Sequence, residues 1–199
     1  MEAKLNKVNY FSRYIKSIES KSIDGYFPDS RAYFVSLIVD EETLFIHGGC
    51  NKKKDYSQID VMDHKKTEWK MIQEISCVDP FFLFDKTLSG HTADLVKLKG
   101  NKNIIIYGGF DGKFYSNAIY LIETENFQFH QVDVRGDKNY NSKFPQQRAY
   151  HTSNFDEVEN CLYIFGGWNG NINYLFDNNF LSLWKFDLYG MNITIIINN

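Results

Sequence analysis

Three near-continuous apolar runs along the chain, 44–47 (LFIH), 104–107 (IIIY) and 162–165 (LYIF), each lead straight into a glycine pair. A continuous run, as opposed to an alternating one, predicts a strand covered on both faces of its sheet. The stretches around each run mix apolar and polar positions, as strands with one wet face do. First strands are predicted at 32–39, 91–98 and 149–155, third strands at 57–63, 117–123 and 180–187, and fourth strands at 68–75, 127–134 and 192–198. Turns rich in Lys, Asn, Gly or Thr separate the third strands from the fourth, at 64–67, 124–126 and 189–192. Only residues 9–20 carry a weak helical pattern.

The elements repeat. Gly48 to Gly108 is 60 residues and Gly108 to Gly166 is 58, room for about four short strands with their turns. RAYFVS at Arg31–Ser36 and RAYHTS at Arg148–Ser153 agree at four of six positions, and SGHTAD at Ser89–Asp94 puts His91 where His151 falls, with Phe34 at that place in the first unit. Downstream, Asp63 and Glu123 each lie 14 residues beyond Gly49 and Gly109, and Trp69 and Phe129 six residues further on. Asp187 and Ile193 repeat the six-residue step after a longer loop.

Glycine-rich turns invite a phosphate-loop reading, but such a loop feeds a helix N-terminus and carries a Lys and a Ser or Thr behind its glycines. GGFDGKFYSNAIYL at 108–121 leads into another strand instead. Three copies of Gly48–Gly49, Gly108–Gly109 and Gly166–Gly167 mark places where backbones approach closely. His91 and His151, being equivalent, read as repeated hydrogen-bonding groups, and Arg31 and Arg148 as ties between a connecting loop and nearby carbonyls. Trp69, Phe129 and Trp184 read as packing between sheets.

Taken together, these landmarks resemble the kelch repeat, a four-stranded β-propeller blade. In that family an arginine and a histidine lead strand one, strand two ends in Gly-Gly, strand three ends in an aromatic-acidic pair, and a tryptophan follows about six residues on. The resemblance runs from Arg31 to Asn199. It departs from the family pattern at Phe34, at the head of the second unit, which lacks the arginine, and at Phe129 and Ile193 in place of tryptophan. It implies an all-β fold: a partial kelch-type propeller of three four-stranded antiparallel blades in an open ring. The units would be 1–24, an N-terminal segment able to add an outer strand, then repeats at 25–78, 79–134 and 135–199. Kelch rings have more than three blades, so both flanks await cover, by further blades from a longer sequence or by a second copy of the chain.

Composition narrows the partners. With 199 residues, 43% apolar, 24% charged and 17% aromatic, the chain is an ordinary globular one rich in rings. A net charge of −3 gives no attraction for nucleic acid or anionic lipid, and the Lys52–Lys54 run reads as a solvated turn. The opening residues lack a leader's apolar core and no run is long enough to span a bilayer, so a cytoplasmic location is expected. Cys50, Cys77 and Cys161 are odd in number and widely spaced, against a disulfide framework or zinc knuckle. His47, His64 and His130 show no metal-ligand spacing, and Asp60 and Asp63, of opposite parity on one strand, cannot work as a carboxylate pair.

The resemblance implies a non-catalytic platform that grips a protein partner through its blade loops, with no cofactor and no metal. The candidate contact residues are Lys52, Lys53, Asp55 and Tyr56, then Asp111, Lys113, Phe114 and Tyr115, then Trp168, Asn169, Asn171 and Tyr174; the PFFLF linker at Pro80–Phe84 reads equally as a further contact or as Phe81, Phe82 and Phe84 packing under a long blade connection. The rival readings are a fragment of a kelch-type sugar-processing enzyme, such as a copper-dependent oxidase, and a truncated copy without function.

Overall fold

Each apolar run that ends in Gly-Gly forms the second strand of a four-stranded antiparallel sheet. The structure, a computed structural model, describes residues 21–22, 25–72, 87–132, 135–136, 144–170 and 182–197, and every regular element among them is a strand. Sheet 1 contains β2 (Val35–Ile38), β3 (Thr43–His47), β4 (Ile59–Asp63) and β5 (Glu68–Ile72). Sheet 2 contains β6 (Thr92–Leu98), β7 (Asn101–Tyr107), β8 (Ile119–Glu123) and β9 (Phe129–Gln131). Sheet 3 contains β11 (Ala149–Asp156), β12 (Cys161–Trp168), β13 (Leu183–Asp187) and β14 (Asn192–Ile197). Two short strands join in parallel at sheet edges: β1 (Lys21–Ser22) beside β5, and β10 (Arg135–Gly136) beside β14. The weak helical stretch at 9–20 and the Pro80–Phe84 linker lie outside the described residues.

Sequential strands pair as hairpins, and short polar side chains close the turns between them. The Asp40 carboxylate accepts from the Glu42 and Thr43 amides, Asp156 from those of Val158 and Glu159, and Asp187 from those of Tyr189 and Gly190. Asp63 does the same for Lys65 and Lys66, which fixes its role as a turn former on the far side of its strand from Asp60. An Asx side chain that satisfies two successive amides makes the tight reversal favourable without glycine.

Sheet 2 lies between the other two. Ile104 and Ile106 face sheet 1, packing with Phe45, Ile59 and Val39, while Ile105 and Tyr107 face sheet 3, packing with Leu162, Ile164, Trp184 and Phe186. All four residues of the β7 run are buried, so the double coverage expected from its unbroken apolar pattern is realised in the middle sheet. Each fully buried isoleucine contributes about 1.5 to 3 kcal/mol. In β3 and β12 the face toward sheet 2 is the more fully buried: Phe45 and His47 on one, Leu162 and Ile164 on the other, whereas on the outward face Ile46 is half-buried and Phe165 exposed, with Cys161 buried at the start of β12. The physical difference is the number of neighbouring sheets.

The late landmarks divide the same way. Phe129 and Ile193 are buried between sheets, as is Trp184, whereas Trp69, on sheet 1, is only half-buried.

Candidate functional site

The glycine pairs are where one sheet receives the next. The Gly49 amide donates to the Leu88 carbonyl at 2.7 Å and the Gly109 amide to the Arg148 carbonyl at 2.8 Å. A Cβ on Gly48 would stand 2.3 Å from the Leu88 carbonyl oxygen and 2.7 Å from His91 Cε1; on Gly108 it would meet the Arg148 oxygen and His151 Cε1 at 2.7 Å each. No side chain fits there, which is the close approach that the repeated glycines imply. The arginines lock the heads of sheets 1 and 3 in one pattern. Arg148 donates through Nη1 to the Gly166 carbonyl at 2.8 Å and through Nε to Gln146; Arg31 reaches the Gly48 carbonyl at 3.3 Å and Asp29. Arg31 also pairs with buried Asp60 at 2.9 Å, and Tyr26 and Gln58 donate to the same carboxylate. This neutralises a charge that could not otherwise be buried.

The histidines are equally committed. His47 Nδ1 and His91 Nε2 share a hydrogen bond of 3.0 Å across the first seam, and His151 Nε2 lies 2.9 Å from the Thr92 hydroxyl across the second. Burial holds His47 and His151 down to about 3 and His91 well below its ordinary value, with Arg31, Arg148 and the neighbouring rings adding to it. They are neutral packing groups at physiological pH. Among the described residues no group of three or more His, Cys, Asp and Glu side chains is placed to hold a metal ion.

The first two loops after the glycines share one design. The Asn51 side-chain oxygen accepts from the Lys53 and Lys54 amides, and the Asp111 carboxylate accepts from those of Lys113 and Phe114. The Tyr56 amide returns to the Gly49 carbonyl at 2.9 Å and the Ser116 amide to the Gly109 carbonyl at 2.8 Å. Successive loops overlap by the same step: a Cβ on Gly112 would stand 2.8 Å from Asp55 Oδ2, and one on Gly170 would stand 2.9 Å from the Tyr115 ring. The first two loops and residues 168–170 are therefore one continuous surface.

Two tyrosines border that surface, with Cys50, Asp55 and Tyr115 around Tyr150. Tyr33 and Tyr150 hold left-handed φ values of 59° and 58°, and Gly90, their counterpart on sheet 2, holds 64°. The Gly90 amide donates to the Tyr33 carbonyl at 2.9 Å and the Tyr150 amide to the Gly90 carbonyl at 2.7 Å, a backbone chain linking all three sheets. The absent Gly90 side chain makes room for the Tyr150 ring, which meets Tyr33 edge-on with centroids 5.2 Å apart. Both rings are about half-exposed. Burial raises the pKa of the Tyr150 hydroxyl, reinforced by Tyr115, Tyr33, Cys50 and Asp55 around it, so it stays a hydrogen-bond donor. A bulky residue in this backbone region costs of order 1 to 3 kcal/mol, and such strain clusters at functional surfaces.

Of the candidate residues, Lys52, Lys53, Lys113 and Phe114 are exposed, while Asp55, Asp111, Tyr115, Trp168 and Asn169 are half-buried on the joined loops. Tyr56 is buried. Arg31 stacks on its ring at 4.0 Å and its hydroxyl donates to Asp29, so it holds the first loop in place and presents nothing. Asn171 and Tyr174 lie outside the described residues. Tyr33 and Tyr150 were missed by reading only the Arg and His of the RAY motif; a tyrosine repeated at one position, with glycine as its counterpart in the middle unit, was the available signal. The opposite end carries two clefts of about 500 and 580 Å³ between sheets 2 and 3, both bordered by Lys99, Lys102 and Tyr189.

No family model and no curated protein matches the chain. Among the described residues, no helix is long and apolar enough to cross a membrane.

Proposed function

We propose that the three sheets are blades of a kelch-type propeller and that the chain is a non-catalytic protein-docking platform, its working surface being the loop face around Tyr33 and Tyr150. The observation that carries this reading is the pair of tyrosines held at left-handed φ and half-exposed, with Cys50, Asp55 and Tyr115 of the first two post-glycine loops around Tyr150. Rings of this kind give large contact area at little entropic cost, and a surround of mixed charge, Lys52, Lys53 and Lys113 against Asp55 and Asp111, suits a polar rim. The neutral, buried histidines support a structural role for the groups that an acid–base mechanism would recruit first.

The partner chemistry that fits is a peptide or protein segment offering aromatic or aliphatic side chains with flanking charges of both signs. Proximity labelling from the native chain identifies candidates, and each is retested with purified protein. Replacing Tyr33, Phe114 and Tyr150 together by alanine is expected to abolish capture while the thermal transition stays cooperative. Unchanged capture by that variant refutes the reading.

A further inference from the structure

The two seams inside the chain follow one rule, and its ends are left over. At each seam the residue before the glycine pair meets, edge-on, the fourth residue of the next sheet's head: His47 with His91 at 5.0 Å and 80°, and Tyr107 with His151 at 4.9 Å and 77°. The first glycine lies beneath that incoming ring, and the second donates its amide to the head's carbonyl. On sheet 3 the residue before the glycines is Phe165, and on sheet 1 the head's fourth residue is Phe34. Phe34 holds the histidine position: a Cβ on Gly49 would lie 2.9 Å from Phe34 Cβ, as one on Gly109 would from His91 Cβ.

Both leftover halves are open. His91 and His151 are 5% and 6% exposed, but Phe34 is 41% and Phe165 47% exposed. Gly48 and Gly108 are covered by a carbonyl and an imidazole, but among the described residues nothing lies within 4 Å of a Cβ built on Gly166. The pairs also match in chemistry. His47 and His91 are both polar and hydrogen-bonded, and the remaining two members, Phe165 and Phe34, are both apolar. The outward sides of the two end sheets carry half-buried Leu44, Ile46 and Trp69 on one and Tyr163 and Leu183 on the other, the latter beside Lys185, which Glu159 pairs. Asp60, on the same side of sheet 1, is already buried, with Arg31 paired to it and Tyr26 donating to it, so the joint strands no charge.

We propose that two copies of the chain join head to tail, Phe34 of each seated against Phe165 and over Gly166 of the other, closing a ring of six sheets through two identical joints. Continuity with the two seams of the chain itself argues for a second copy as the occupant: the joint repeats their geometry with an aromatic pair from this same sequence. Each joint alone runs head to tail, and the two together form one self-complementary twofold interface, Phe34 meeting Phe165 and Phe165 meeting Phe34.

Sedimentation of the full chain at micromolar concentration tests this. The expected species has twice the chain mass, and Phe34→Asp or Phe165→Asp each weakens self-association roughly thirtyfold or more, the loss of a buried aromatic anchor. An equimolar mixture of the two variants recovers dimer, because one joint in the mixed pair keeps both phenylalanines. Circular dichroism and a cooperative thermal transition establish that the variants, altered at exposed positions, remain folded. A monomer, an open-ended polymer, a dimer indifferent to both substitutions, or a mixture that stays monomeric overturns the proposal. Dimer formation that appears only with added downstream sequence, or only with another protein, overturns it too.

Discussion

The His91 imidazole lies over Gly48, its Cε1 2.7 Å from the point where a Cβ would stand, and His151 takes the same place over Gly108. The glycine exists for the histidine of the next sheet. Replacing either glycine by alanine forces a side chain against a backbone carbonyl as well as the ring, and the left-handed φ adds its own penalty. Gly48→Ala and Gly108→Ala should each cost about 3 kcal/mol or more, while Gly166→Ala should cost only the conformational part, about 1 kcal/mol. Urea denaturation, with Phe34→Asp present so that self-association does not enter, measures the contrast. Equal losses at all three sites would contradict it.

Acid should loosen the seams before it titrates most carboxylates. His47, His91 and His151 are held neutral in the folded chain, with His47 and His151 at about 3, whereas the unfolded chain takes up protons at each below about 6.5. The folded pKa values are depressed, so the stabilisation is complete above 6.5 and falls as pH drops from 6.5 toward 3. The slope is about 1.4 kcal/mol per pH unit for each histidine, about 4 for three acting together. Unfolding free energies at pH 7.5, 6.0 and 5.0 check this, and a flat profile across that interval would be inconsistent with neutral burial.

The Arg31–Asp60 pair sits where sheet 2 has Leu88 and Tyr120. Both partners are nearly or wholly excluded from solvent, so removing one leaves the other stranded. Arg31→Leu should cost about 3 to 5 kcal/mol, and the double variant Arg31→Leu/Asp60→Tyr, copying sheet 2, should recover most of it. A double-mutant cycle by thermal unfolding reads the coupling; additive losses would mean that the pair is not a unit.

These residues also show how far the sequence could be read. Strand order, the sheet count and the role of the glycines follow from local pattern, because the period of apolar positions and the in-phase Gly-Gly are short-range signals. The reach of Arg31 and Arg148 to carbonyls was readable from their repetition. The His47–His91 contact was not, since the two are separated by 44 residues and only His91 belongs to the repeated motif. Tyr56 looked like a loop residue for a partner because its burial depends on Arg31 folding over it from another segment. The weaker cover on the outward faces of β3 and β12 depends on how many sheets stand beside each, which an apolar run alone does not encode.

Backbone strain at Tyr33 separates binding from stability. Tyr33→Gly relieves the left-handed conformation and removes a half-exposed ring, so it should be neutral or stabilising by up to about 1 kcal/mol, while Tyr33→Ala gains nothing. Both should weaken partner capture alike. If Tyr33→Gly destabilises the fold by several kcal/mol, the ring serves packing, and the strain has a structural explanation.

Hydrogen exchange of the chain with and without its captured partner locates the working surface. Slowed exchange should appear at residues 32–34, 50–56, 110–116, 149–151 and 168–170, the segments that meet around the two tyrosines. Protection confined to the opposite turns at 64–67, 99–100, 157–160 and 189–190 would place binding at the wrong end of the sheets and contradict the account.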